Sequence, residues 1–265
     1  MSVVCKKNRQ DLVVFLQNFI YLMNDTQIRD KIVQNCIKKN KLKSCSWLGT
    51  IVLSGQVNKL NVDSWNNKRV GKSLKYFLEK DLKWQKTKTY FFTVMYTYEQ
   101  FKVHYLSYIY EPKYKKLTHF DPGISLYEHG QKTVVPSMNK AFCSLKLIDK
   151  KSEEIGVCNS FRWKGKKMGI QFNNLNDFFP ADAFCQTWTV FFFIRYCHSS
   201  FDFEFLKSWC NLKPEKRELF LISNFILPFL NENPKYYELL QIQINDERTN
   251  YINILYESVE NCLIN

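Results

Sequence analysis

Three residues with the chemistry of a thiol hydrolase are spread through the middle of the chain. They are His104 in FKVHYLSYIY, Asp121 in THFDPG and Cys185 in PADAFCQTWTVFFF. A thiolate is a strong nucleophile, so a cysteine that attacks needs an adjacent base or a lowered pKa. An imidazole supplies the base and later returns the proton to a leaving amine. A carboxylate on the imidazole's other nitrogen fixes the tautomer and favours the imidazolium. Each residue alone has a plainer role: His104 as a strand histidine, Asp121 as the turn residue of Asp-Pro-Gly, Cys185 as a buried core thiol. Only their mutual placement gives them a chemical reading.

Two of the three belong to one predicted hairpin. Residues 102–110 and 115–120 are rich in aromatic and β-branched side chains, as strands are. Between them, Pro112 suits the first central position of a turn. A hairpin symmetric about the Pro112–Lys113 bond sets His104 opposite Asp121. Directly opposite residues of antiparallel strands have Cβ atoms roughly 4.5–5.5 Å apart, close enough for an imidazole–carboxylate hydrogen bond. A slip of one residue would send either group to the other face. His119 is a rival on the same strand, His129 falls in a predicted loop, and His198 follows a helix.

Cys185 opens a run, 185–197, that is apolar nearly all round and so predicts a buried central helix. With a start near Ala183, Asp182 would be the N-cap and Cys185 would lie in the first turn. Unpaired N–H groups and the positive end of the helix dipole lower a thiol's pKa there, and the same N–H groups can hold an oxyanion.

The other elements follow from periodicity. Residues 11–23 and 26–39 read as helices, as does 64–84, where Val70, Leu74, Phe77, Leu78 and Leu82 share a face. YFFTVMYTY (90–98) and MGIQF (168–172) read as strands. Residues 203–211, 215–231 and 234–262 read as helices, with Pro214 and Pro234 near two starts. The order predicts an α+β fold: a small mixed sheet packed on a central buried helix and flanked by helices.

The chain's 265 residues are 45% hydrophobic, with 22 Phe and 15 Tyr, enough for a sizeable core. Its net charge of +13 favours nucleic acid, anionic membrane or an acidic protein as partner. The lysines lie in scattered runs, at 38–41, 113–116 and 164–167, with no single arm. A Lys-rich surface inherited from an A/T-biased genome accounts for the charge equally well. Nine cysteines without a C-x-x-C pair speak against a zinc module and for free thiols in a reducing compartment. MSVVCKKNRQDL turns charged at once, unlike a secretory leader, and the longest apolar stretch is far short of the ~20 residues of a membrane span. The expectation is a soluble, intracellular protein with no metal or cofactor.

His on one strand, Asp ending the next and Cys opening a buried aromatic helix is an order that resembles the adenain and Ulp1-like cysteine proteases. H-Y-L-S-Y-I-Y, F-D-P-G and D-A-F-C-Q-T-W carry the resemblance, with the seventeen-residue step from His104 to Asp121. The F-C-Q-T-W form is most similar to the versions carried by large DNA viruses. The resemblance covers about residues 60–200. It implies a papain-type core at 61–200 between helical extensions at 1–60 and 201–265. By the same resemblance Cys185 is the nucleophile, His104 the base and Asp121 its orienter. The family's oxyanion glutamine stands a few residues before its cysteine, where this chain has Phe178 and Phe179. Gln171 could serve if 172–184 is a longer loop, with Asn173, Asn174 and Asn176 as rivals. Gln186 replaces the family's glycine and Tyr105 its usual tryptophan. Trp65, in VDSWNN, would line the substrate cleft by this resemblance, with a core tryptophan as the alternative. The implied activity is cleavage near small residues, often Gly-Gly or Gly-Ala. It would serve virion maturation, with the basic surface on the packaged genome in virion or host cytoplasm, or the removal of ubiquitin-like modifiers. The alternative is an inactive relative that binds nucleic acid or a virion component.

Overall fold

The computed structural model describes residues 23, 25–56, 59–61, 84–98, 102–123, 134–163, 166–171, 184–199 and 202–233. The chain enters with helix α1 (Thr26–Lys39), at the predicted bounds. The Asp25 carboxylate caps it by accepting from the N–H groups of Gln27 and Ile28 at 2.8 and 3.4 Å. Lys38 and Lys39 close its last turn, where cations suit the dipole.

Six described strands form one mixed sheet: β1 (Cys45–Gln56), β2 (Lys59–Asn61), β3 (Thr89–Tyr98), β4 (Lys102–Glu111), β5 (Lys116–Phe120) and β6 (Glu153–Ile155), in the order β2-β1-β3-β4-β5-β6. β1 runs parallel to β3, and β5 parallel to β6; the other pairs are antiparallel. Short strands β7 (Cys158–Trp163) and β8 (Lys166–Met168) pair separately. Strand β1 corrects the expectation of an all-helical stretch over 1–60. Its register shifts between Trp47 and Thr50, and Gly49 between them has φ 87°, so the alternation that marks a strand is broken in the middle.

The sheet buries both faces. On one, Phe91, Ile109 and Phe120 meet α3 (Cys185–His198), with Phe120 stacked on Phe192 at 4.6 Å between ring centroids. On the other, Phe92, Tyr108 and Tyr110 pack on α2 (Val135–Ser144), a helix the sequence did not suggest, through Met138 and Phe142. Eleven of the fourteen residues of α3 are buried, which its all-round apolar pattern requires. The sheet covers one side of it. The other side is covered by Trp209 of α4 (Phe205–Asn211) and Phe225, whose rings stack on Phe191 at 4.7 and 5.2 Å. Each such phenylalanine contributes about 1.5–3 kcal/mol on burial. The fold is α+β.

The single helix expected over 215–231 is divided into α5 (Pro214–Leu221), a π-helical turn (Ile222–Ile226) and α6 (Leu227–Glu232). Pro228 has no N–H for the regular ladder, and the wider turn precedes it. MGIQF is likewise corrected: β8 ends at Met168, and the next two carbonyls bond to a side chain instead of a strand. Apart from Met23 and Trp84, the helices expected at 11–23, 64–84 and 234–262 lie outside the described residues. No helix among the described residues is long and apolar enough to cross a membrane.

Candidate active site

His104 is the third residue of β4, and Asp121 directly follows β5. His104 Nε2 lies 2.7 Å from Asp121 Oδ1, and both side chains are fully buried. The same oxygen accepts the Gly123 N–H at 2.9 Å, the local turn that an Asp-Pro-Gly sequence favours. The expected register was wrong by two residues. Ser107 pairs with Phe120 and Glu111 with Lys116, so His104 and Asp121 are diagonal neighbours instead of opposite partners. The connection is a 3-10 turn, Pro112–Tyr114, followed by Lys115 in the left-handed region at φ 47°, which uses more residues than a two-residue turn. An offset of two keeps both side chains on one face.

Cys185 is the first residue of α3. Phe184 is its N-cap, without a side-chain cap bond, in place of the expected Asp182, which lies outside the described residues. The helical ladder begins with Trp188 N–H donating to the Phe184 carbonyl at 2.8 Å. The N–H groups of Cys185, Gln186 and Thr187 thus stand ahead of it. The Cys185 side chain lies close enough to His104 to raise the imidazole's affinity for a proton. It also donates to Gln186 Oε1 at 3.3 Å.

The electrostatics favour a charged imidazole. Burial opposes the imidazolium most strongly. The Asp121 charge, its hydrogen bond and Cys185 outweigh that, and His104 is pushed up from 6.5 to about 9. Tyr105, the next residue, is raised by burial and by Cys185 and lowered by Arg29. Fully buried Arg29 lies over the Tyr105 ring, 4.6 Å from its centroid, and donates to Thr50 Oγ1 at 3.4 Å and to the Met23 carbonyl. Nothing in the pattern of α1 marked Arg29 as buried.

Gln171 is fully buried, and its N–H donates to the Pro122 carbonyl at 2.7 Å, which ties it to the turn that begins at Asp121. The approach to Gln171 is held by a residue that sequence reasoning missed. Arg217 of α5, 2% exposed, donates to the carbonyls of Gly169 (3.0 Å), Ile170 (3.3 Å), Cys210 (3.2 Å) and Leu212 (3.1 Å). In the sequence it is one charge within PEKRE, like any surface arginine.

The rival histidines stand elsewhere. His119 Nε2 lies 3.5 Å from Glu154 Oε1, with its ring stacked on Tyr108. His198 is at the far end of α3, its Nε2 3.2 Å from Asn40 Nδ2. His129, Trp65, Asn173, Asn174, Asn176, Phe178 and Phe179 lie outside the described residues. Among the described residues, no group of three or more His, Cys, Asp or Glu could hold a metal ion. Two lysines of the 113–116 run are paired, Lys115 with Asp149 at 2.9 Å and Lys116 with Glu153 at 2.8 Å, and neighbouring Tyr114 is 65% exposed. No protein-family model, no curated protein and no solved structure matches this chain.

Proposed function

We propose that the chain is a cysteine endopeptidase with an Ulp1/adenain-like, papain-type core, acting on viral structural precursors or on conjugates of ubiquitin-like modifiers. The observation that carries this reading is one buried group: the His104 imidazole is hydrogen-bonded to the Asp121 carboxylate, and the buried Cys185 thiol beside it raises the imidazole's proton affinity. His104 takes the thiol proton, and the Cys185 thiolate attacks the scissile carbonyl carbon. The oxyanion is held by the Cys185 backbone N–H and the Gln171 amide. His104 then protonates the leaving amine, which departs and leaves a thioester on Cys185. Water, giving its proton to His104, attacks the thioester and releases the acid and the free thiol.

A peptide vinyl sulfone ending in Gly-Gly tests the reading. Its adduct is expected on Cys185 and is expected to be lost in His104→Ala. Labelling spread over the exposed cysteines, unchanged in Cys185→Ala, would rule the reading out.

A further inference from the structure

His104 is not the only polar side chain beside the Cys185 thiol. The thiol donates to Gln186 Oε1 at 3.3 Å, and Cys185 and Gln186 are 4% and 2% exposed. Successive residues of a helix do not face each other, so this contact requires the Gln186 side chain to turn back over the start of α3. The main chain beneath it is anchored, since the Gln186 carbonyl accepts the Thr189 hydroxyl at 2.7 Å.

A thiol has one proton to share among its acceptors. An amide oxygen only accepts, so it bonds the neutral thiol. A thiolate in the same place loses that bond and faces the negative end of the C=O dipole. Burial strengthens both effects. The N–H groups at the start of α3 act in the opposite sense and favour the thiolate. The first turn of the helix thus exerts two opposed influences on one sulfur.

We propose that Gln186 is a catalytic residue: it holds Cys185 as a neutral thiol in the resting protein, and releases it when a backbone N–H of a bound peptide takes over Oε1. A thiol is a weak hydrogen-bond donor and an amide N–H a stronger one, so the exchange runs toward the peptide. The freed S–H then gives its proton to His104, and its electron pair stays on sulfur as the attacking thiolate. Gln186 itself exchanges only a hydrogen bond. A substrate thereby switches on the nucleophile it is about to meet. Without peptide, the sulfur stays in the less oxidisable thiol form. The exchange with peptide rests on the peptidase reading, whereas the contact with the thiol does not.

The test compares wild type with Gln186→Met, which keeps the length of the side chain and removes the acceptor. Iodoacetamide labelling of Cys185 and of exposed Cys143 is followed across pH. At neutral pH the variant should label Cys185 roughly two- to ten-fold faster, the weight of one neutral hydrogen bond. The alkaline plateau and Cys143 should stay unchanged. A merely wider opening would instead speed Cys185 by one factor at every pH. Hydrolysis of a Gly-Gly peptide, which supplies its own release in the wild type, should not rise with labelling; kcat/KM should fall as the peptide N–H loses its acceptor. Circular dichroism checks the fold, and Gln186→Leu takes over if the methionine variant does not fold. The proposal is overturned if labelling of Cys185 at neutral pH is unchanged or slower, if it rises equally at every pH, or if hydrolysis rises in step with it. Absence of peptide cleavage in the wild type would sink the peptidase reading and the exchange with it, while labelling still decides whether Gln186 holds the thiol.

Discussion

His104 and Asp121 meet at 2.7 Å although no rung of the β4–β5 ladder joins them. Asp121 has already left the strand, and its turn back through Gly123 N–H brings the carboxylate diagonally across to the imidazole. The same turn passes the Pro122 carbonyl to Gln171. One Asp-Pro-Gly thus orients the imidazole and anchors the candidate oxyanion amide.

Asp121→Asn removes the charge but keeps a hydrogen-bonding group beside His104. Without the carboxylate, burial dominates and the His104 pKa is expected to fall. Peptide hydrolysis should drop by roughly 10²–10⁴-fold, the usual weight of acid–base catalysis. Steady-state kinetics with a Gly-Gly peptide measure it, and a rate equal to wild type would show that Asp121 orients nothing.

The His104 pKa is raised from 6.5 to about 9, which fixes the sign of a pH effect. The folded state binds this proton more tightly than the unfolded state. The resulting stabilisation is fully present below 6.5 and is lost as pH rises through about 9. Urea denaturation across that window should show stability declining with pH in the wild type and a flatter profile in His104→Gln. Hydrolysis should fall along the same alkaline limb as the general acid loses its proton.

Among the nine cysteines, Cys185 should alkylate faster than the exposed Cys143 at neutral pH, because a neighbouring imidazole can activate it as a nucleophile. His104→Ala should slow Cys185 and leave Cys143 unchanged. Competitive labelling with light and heavy iodoacetamide reads both rates in one sample.

Arg217→Met would strip four carbonyls of their guanidinium donor, at a cost of about 2–5 kcal/mol. Arg217→Lys, which keeps the charge but loses the planar fork, should fold better and still hydrolyse slowly if the Gly169–Gln171 approach sets the oxyanion amide. A drop in stability with kcat untouched in the lysine variant would limit Arg217 to a structural role.

If the basic surface binds nucleic acid, affinity for DNA should fall with salt on a log–log slope of about one unit per phosphate contact. Changing Lys113, Lys115 and Lys116 to glutamine should flatten that slope, and Tyr114→Ala should weaken single-stranded binding by roughly 1–3 kcal/mol if a base stacks on the exposed ring. Cys185→Ala should change neither. Absence of binding at low salt would leave the +13 as a solvated surface.

Local pattern by itself determined those elements whose side chains repeat with one period: α1, β3, β4, β5 and α3. It also determined that His104 and Asp121 share a face, because parity survives an error of two in the register. It did not show β1, whose period breaks at Gly49, or the π-helical turn before Pro228. The exact pairing of β4 with β5 was not legible either, since it depends on how many residues the 3-10 turn and left-handed Lys115 consume. Arg217 beneath Gly169 and Arg29 over Tyr105 were decided only by the tertiary structure. Those residues are far apart in the chain, and periodicity records which face a side chain takes, not which distant element is packed there. The Asp25 cap needs only its own next three residues, so the sequence suffices for it; the Cys185–His104 contact needs a whole sheet and helix to be docked first.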